Sequence, residues 1–302
     1  EPNAVSQLKY LCQKCNDAGL RIYLFIDEYD NFTNMILANK NHETRYREQT
    51  HGEGYLRRFF NAIKSASGSS LGRVFVTGVS PVTMDDLTSG FNIGTNYTLS
   101  PEFNEMTGFS EREVREMLSY YASVLPFNHT VDELIEVIKP WYDNYCFAEE
   151  EYGKTSMYNS VMVLNFIDNY IRSGYNIPKK MVETNVRIDY DKIRMLIRHD
   201  KEFSNDASII QELVTKGFVT GKLVENFPAE RINDPDNFLS LLFYFGMVTI
   251  GGTFKGDIKF VIPNEVVRDQ IYTYLLDTYK ESNLTFEAYN KNKLECHLAY
   301  DG

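Results

Sequence analysis

The sequence predicts an α/β fold with a parallel sheet, and three features predict it. Within RIYLFIDEYD at 21 to 30, the run from Ile22 to Asp27 is apolar until its last residue turns acidic. Its β-branched and aromatic members read as a strand buried on both faces, as parallel strands covered by helices are. A second such run, RVFVT at 73 to 77, follows about one helix later. Before and between the two runs, apolar residues recur at helical spacing, at Val5, Leu8, Leu11, Cys12, Cys15 and Ala18, and again at Tyr55, Leu56, Phe59, Phe60 and Ile63. Gly19 stops the first helix and GSSLG at 68 to 72 ends the second.

Asp27 and Glu28 close the first strand side by side. Open α/β sheets bind ligands beyond the carboxyl ends of their parallel strands, so adjacent acids there form a candidate metal-linked site. The pattern is that of a Walker B motif. In a P-loop nucleotidase the first acid holds Mg²⁺, usually through water, and the second polarises the water that attacks the γ-phosphate. Asp27 fits the metal role and Glu28 the role of base. An acidic pair at a strand end can equally start a turn or cap the next helix, and the pair alone does not separate the two.

Thr77 and Ser80, at the end of the second strand and in GVSP at 78 to 81, stand where such nucleotidases keep a sensor of the attacking water or γ-phosphate. The alternative is that Thr77 is simply a good strand former and Ser80 starts a turn before Pro81. TNYTLS at 95 to 100 reads as a third short strand. Residues 31 to 50, polar and irregular, read as an exposed excursion beside the acids.

The chain of 302 residues, 43% hydrophobic, is long enough for two or three globular domains. No apolar run approaches the ~20 residues that span a bilayer, and EPNAVSQLKY lacks the layout of a signal peptide. These features predict a soluble, cytoplasmic protein without membrane contact. The net charge of −11 disfavours broad binding to a phosphate backbone. Of the four cysteines, Cys12 and Cys15 form a C-x-x-C inside a helix, with no second pair, so free thiols in a reducing compartment are expected rather than zinc.

Beyond residue 105 the pattern turns helical. Ser110 with Glu113 and Thr130 with Glu133 form capping boxes that open two helices, the second expected to end at Pro140. A third helix spans 159 to 173. Trp141, Tyr142, Tyr145 and Phe147 are expected in the core rather than in a ligand cage. Farther on, apolar segments at 209 to 217 and 238 to 250, a strand at 259 to 264 and a helix over 265 to 280 give the order of a winged-helix module, with its turn expected around Gly251 and Gly252. Such modules bind DNA or mediate contacts between domains, and the acidic balance favours the second.

A phosphate loop needs G-x-x-x-x-G-K-[ST], because its backbone amides cradle the phosphates and its lysine reaches the β and γ oxygens. Only Gly153, Lys154 and Thr155 approach it. Ala148 stands where the first glycine should be and AEEEY precedes it, so GKT is expected to be a hairpin turn.

IYLFIDEYD, FVTGVSPV, FNEMTGFSEREV, WYDNYCF, MYNSVMVLNFI, LSLLFYFGMVTI and VIPNEVVR occur in that order. Together they resemble the bacterial AAA-ATPase-like family of predicted ATP-binding proteins. The resemblance implies ATP and Mg²⁺ as cofactors, a P-loop ATPase domain, a helical lid and, in many members, a downstream PD-(D/E)XK nuclease-like domain. Asn144 stands where the family usually has glycine, a change that a turn tolerates because asparagine visits the left-handed region.

The combined expectation is a partial P-loop NTPase-type sheet over 1–105, a helical lid over 106–175, a winged-helix-like α+β region over 176–283 and the start of a nuclease-like domain at 284–302. The chain reads as the central part of an ATPase, inactive without its phosphate loop. The expected roles are Asp27 for metal, Glu28 for the base, Thr77 as sensor and Ser80 second. Asp30 is expected to cap a turn, and Arg57 and Arg58 to be solvated rather than to supply transition-state charge. The rival reading is a non-catalytic scaffold that binds a protein or DNA partner through a degenerate nucleotidase domain.

Overall fold

The computed structural model describes residues 3–31, 54–79, 94–182, 209–228 and 231–281. Helix α1 (Ala4–Asp17) begins where the Asn3 side chain accepts the Ser6 amide at 2.9 Å, and it ends at Gly19, whose φ of +69° only glycine adopts without strain. Strand β1 (Ile22–Ile26), helix α2 (Tyr55–Ala66) and strand β2 (Leu71–Val76) follow, and the two strands pair in parallel. Ile22, Leu24, Ile26 and Val74 pack on Cys12 of α1 and on Phe60 and Ile63 of α2.

The strand is not buried on both faces as the sequence led us to expect. Residues alternate, and Tyr23 and Phe25 point away from the core, 66% and 74% exposed. Phe75 on β2 joins them, edge-on to Phe25 at 6.3 Å between ring centres. The reason is that α1 and α2 both cover the same side of the two-stranded sheet. The expected third strand at 95 to 100 is also absent. There the Asn96 side chain takes the Thr98 amide at 3.0 Å and the Thr98 hydroxyl at 2.7 Å, a local bond that competes with strand pairing.

Strand β3 (Phe109–Ser110) leads into helix α3 (Glu111–Val124), followed by α4 (Val131–Tyr142), β4 (Met157–Tyr158) and α5 (Ser160–Arg172). Both capping boxes form: each hydroxyl accepts an amide three residues on, and Glu113 and Glu133 bond back to Ser110 and Thr130. Pro140 does not end α4. The helix runs two residues farther, because the Asp143 amide still reaches Lys139 and Tyr142 is anchored in the core. Val114, Leu118, Ile138, Val163 and Phe166 form the centre of this core. Tyr142 and Tyr145 are buried, as the aromatic cluster suggested.

The last described portion runs α6 (Ile209–Lys216), β5 (Val219–Gly221), α7 (Pro235–Tyr244), β6 (Thr249–Phe254), β7 (Asp257–Val261) and α8 (Glu265–Glu281). Its strands make an antiparallel sheet in the order β5-β7-β6. The hairpin turn lies at Lys255 and Gly256, not at Gly251 and Gly252, which are inside β6. Both turn residues have positive φ, +55° and +92°, as a two-residue hairpin requires. Gly153 likewise sits in a turn, at φ +77°.

The segment WYDNYCF joins these two portions. Asn144, at φ +81°, donates to the Pro263 carbonyl at 2.9 Å, Asn264 donates to the Asp143 carbonyl at 3.1 Å, and the Cys146 amide donates to Thr249 Oγ1 at 2.8 Å. Among the described residues no helix is long and apolar enough to cross a membrane, and Cys12, Cys15 and Cys146 are free thiols.

Candidate functional site

Parallel pairing brings the ends of β1 and β2 level, with Ile26 opposite Val76. The ladder continues one step past both strands: the Thr77 amide donates to the Ile26 carbonyl at 2.8 Å and the Tyr29 amide to the Thr77 carbonyl at 3.1 Å. Asp27 and Thr77 are therefore neighbours at the carboxyl edge of the sheet. The Thr77 hydroxyl donates to Asp27 Oδ1 at 2.6 Å, and the Glu28 amide donates to the same oxygen at 2.9 Å. Both bonds converge on Oδ1 of an exposed carboxylate.

Glu28 is exposed and adopts φ +52°, a left-handed conformation that costs an ordinary L-residue about 1–2 kcal/mol. Its carbonyl accepts the Asn31 amide at 3.0 Å, closing a tight turn. Asp30 is 1% exposed. Burial pushes the Tyr29 hydroxyl pKa well up, aided by the nearby Asp30 carboxylate and by Tyr244 of α7.

The site thus brings together Asp27, Glu28 and Thr77. Ser80 lies outside the described residues, as do most of the expected excursion at 31 to 50 and the segment 284 to 302. Arg58 is exposed, whereas Arg57 is half-buried. Sequence reasoning missed Tyr29 and Gly78 as members of the site. The one signal for Gly78 was its place directly after a strand in GVSP.

Hard oxygen donors are what Mg²⁺ takes, and the exposed Asp27 carboxylate, with the Thr77 hydroxyl bonded to it, is of that kind. Among the described residues no three His, Cys, Asp or Glu side chains gather closely enough to hold a metal by themselves. Mg²⁺ in such enzymes keeps several waters and is bound by one or two carboxylates together with substrate phosphates. The donor set therefore fits a hydrated Mg²⁺ shared with a phosphate ligand.

Residues 2–88, which carry this whole constellation, match the family model described as Predicted AAA-ATPase. The match makes this segment similar to that family over less than a third of the chain. No curated protein and no solved structure matches the chain.

Proposed function

We propose that the edge formed by Asp27, Glu28 and Thr77 is the acidic half of a Mg²⁺–ATP site, and that the intact protein hydrolyses ATP. The observation that carries this reading is the 2.6 Å hydrogen bond from Thr77 to Asp27, which ties two adjacent parallel strands together at their carboxyl ends. Asp27 would hold the hydrated Mg²⁺ through Oδ2, while Thr77 fixes the carboxylate by occupying Oδ1. Glu28 would accept the proton of the attacking water, and Thr77, with Ser80 second, would sense the γ-phosphate. Bound Mg²⁺ would supply charge neutralisation between the β and γ phosphates. The 302 residues contain no G-x-x-x-x-G-K-[ST] loop, so the reading requires phosphate ligands other than that loop.

The test is Mg²⁺–ATP binding by calorimetry on the 302-residue chain and on the full-length gene product, each alongside Glu28→Gln. Binding by the full-length form, with hydrolysis lost in Glu28→Gln and binding kept, supports the assignment. A full-length form that ignores ATP removes the roles of Asp27, Glu28 and Thr77.

The non-catalytic scaffold is the second reading, and the open face bearing Tyr23, Phe25 and Phe75 favours it, because contiguous exposed aromatics mark contact surfaces. The strand order β5-β7-β6, with α6 before β5 and α7 between β5 and β6, supports a winged-helix-like module. Such modules read DNA with the helix in the position of α7. Here Phe238, Leu239, Leu241, Leu242 and Phe243 bury that helix on most sides, which favours protein over DNA as the partner.

A further inference from the structure

Gly78, where the chain leaves β2, has no room for a side chain. A Cβ on it would lie 2.4 Å from Cε1 and 2.5 Å from Cδ1 of Tyr29, and 2.6 Å from Oδ1 of Asp30. Its φ is not in the left-handed range, so space rather than backbone freedom is what this position requires. The loops after β1 and β2 are thus in van der Waals contact exactly one residue beyond the Asp27–Thr77 bond.

The same contact fixes the residue after the acid pair. The Tyr29 amide is held by the Thr77 carbonyl at 3.1 Å, its ring lies against Gly78, and Asp30 is buried with its carboxylate at the same glycine. Glu28 stands between this anchored dipeptide and Asp27, whose Oδ1 holds the Glu28 amide. With both flanks pinned, the φ of +52° at Glu28 is imposed by its surroundings, since glutamate has no preference for it.

We propose that Tyr29, Asp30 and Gly78 form a clamp that holds Glu28 in its left-handed conformation and thereby aims its carboxylate at the strand ends. The three are positioning residues for the hydrolytic step. Their functional half rests on the ATPase reading of Glu28, whereas the clamp itself is a property of the described chain.

The clamp is tested by a double-mutant cycle on the 302-residue chain, followed by thermal unfolding. Glycine enters the left-handed region freely, so Glu28→Gly relieves a constraint only while the clamp imposes one. The expected result is that Glu28→Gly raises the melting temperature more in the wild-type background than beside Tyr29→Ala. Gly78→Ala should lower the melting temperature, and Tyr29→Ala should recover part of that loss. Additive effects in either pair overturn the clamp.

Its role in hydrolysis is read on the full-length gene product. Gly78→Ala and Tyr29→Ala should lower kcat by about 10- to 100-fold with KM for Mg²⁺–ATP within about twofold, as misplacement of a reacting group does. Tyr29→Phe, which keeps the ring atoms against Gly78, should restore the rate lost in Tyr29→Ala. An unchanged kcat in Tyr29→Ala, or a KM that rises in step with the fall in kcat, overturns the positioning role. Absence of hydrolysis in the wild-type full-length protein overturns the ATPase reading and the positioning role with it, while the unfolding cycle decides the clamp separately.

Discussion

Thr77 reaches Asp27 through one hydroxyl, and in the Mg²⁺ site we propose, removing that hydroxyl should be felt at the metal before it is felt in the fold. Thr77→Val keeps the strand and its backbone bonds but leaves Oδ1 of Asp27 held by the Glu28 amide alone, so the carboxylate is less firmly oriented. In the full-length protein the Mg²⁺ concentration that half-saturates ATP hydrolysis should rise about 10- to 100-fold, the usual effect of losing a group that orients a metal ligand. A Mg²⁺ titration of the hydrolysis rate checks this. Asp27, Glu28 and Thr77 were legible in the sequence because an acid pair after an apolar run, and a threonine at the next strand end, are local patterns. Tyr29 and Gly78 were not, because their relation is a clash of van der Waals surfaces across two loops, which no spacing within either loop encodes. Asp30 shows the same limit: its burial is a tertiary fact that its neighbours in sequence do not announce.

At the scale of elements, helix starts were the most legible features, since a capping box is closed within four residues. Ser110→Ala and Thr130→Ala should each destabilise by about 1 kcal/mol, read from urea unfolding midpoints. The helix end at Pro140 was less legible, because Tyr142 anchors the last turn in the core and so carries the helix past the proline. Strand β1 was recognised, but its two faces were not distinguished. Its covered side and its open side should therefore respond differently to mutation. Phe60→Ala in α2, beneath the covered side, should destabilise by about 3–5 kcal/mol. Phe25→Ser on the open side should shift stability of this chain by no more than about 0.5 kcal/mol. A larger loss at Phe25 in the full-length protein would show that the aromatic face is covered there.

For the whole molecule, stability should fall on both sides of neutrality for separate reasons. Hydrogen bonds from Lys139 and Arg115 hold the Glu111 pKa below its ordinary value, and bonds from the Ser110 amide and hydroxyl do the same for Glu113. Because their folded-state values are depressed, these carboxylates contribute stability that is present above the ordinary carboxylate range and is lost as pH falls through the folded values. Burial raises the hydroxyls of Tyr29, Tyr142, Tyr158 and Tyr244, so their contribution is intact below pH ~10, the unfolded tyrosine value, and is lost as pH rises beyond it. Urea midpoints measured from pH 3 to 11 should form a plateau that drops at both ends. Ser110→Ala should flatten the acid limb, because it removes the hydroxyl that helps hold Glu113 ionised.

The amino-acid sequence by itself determined the succession of strands and helices, the caps that begin α3 and α4, and the pairing of acid residues with a strand end. Each of these is a short-range matter of periodicity, local hydrogen bonding or side-chain type. Only the tertiary structure decided that one sheet face stays open, that α7 is buried, that Thr77 bonds Asp27, and that Gly78 must lack a side chain. These depend on which surfaces meet after the chain has folded, and surface contact is set by shape in three dimensions rather than by order along the chain.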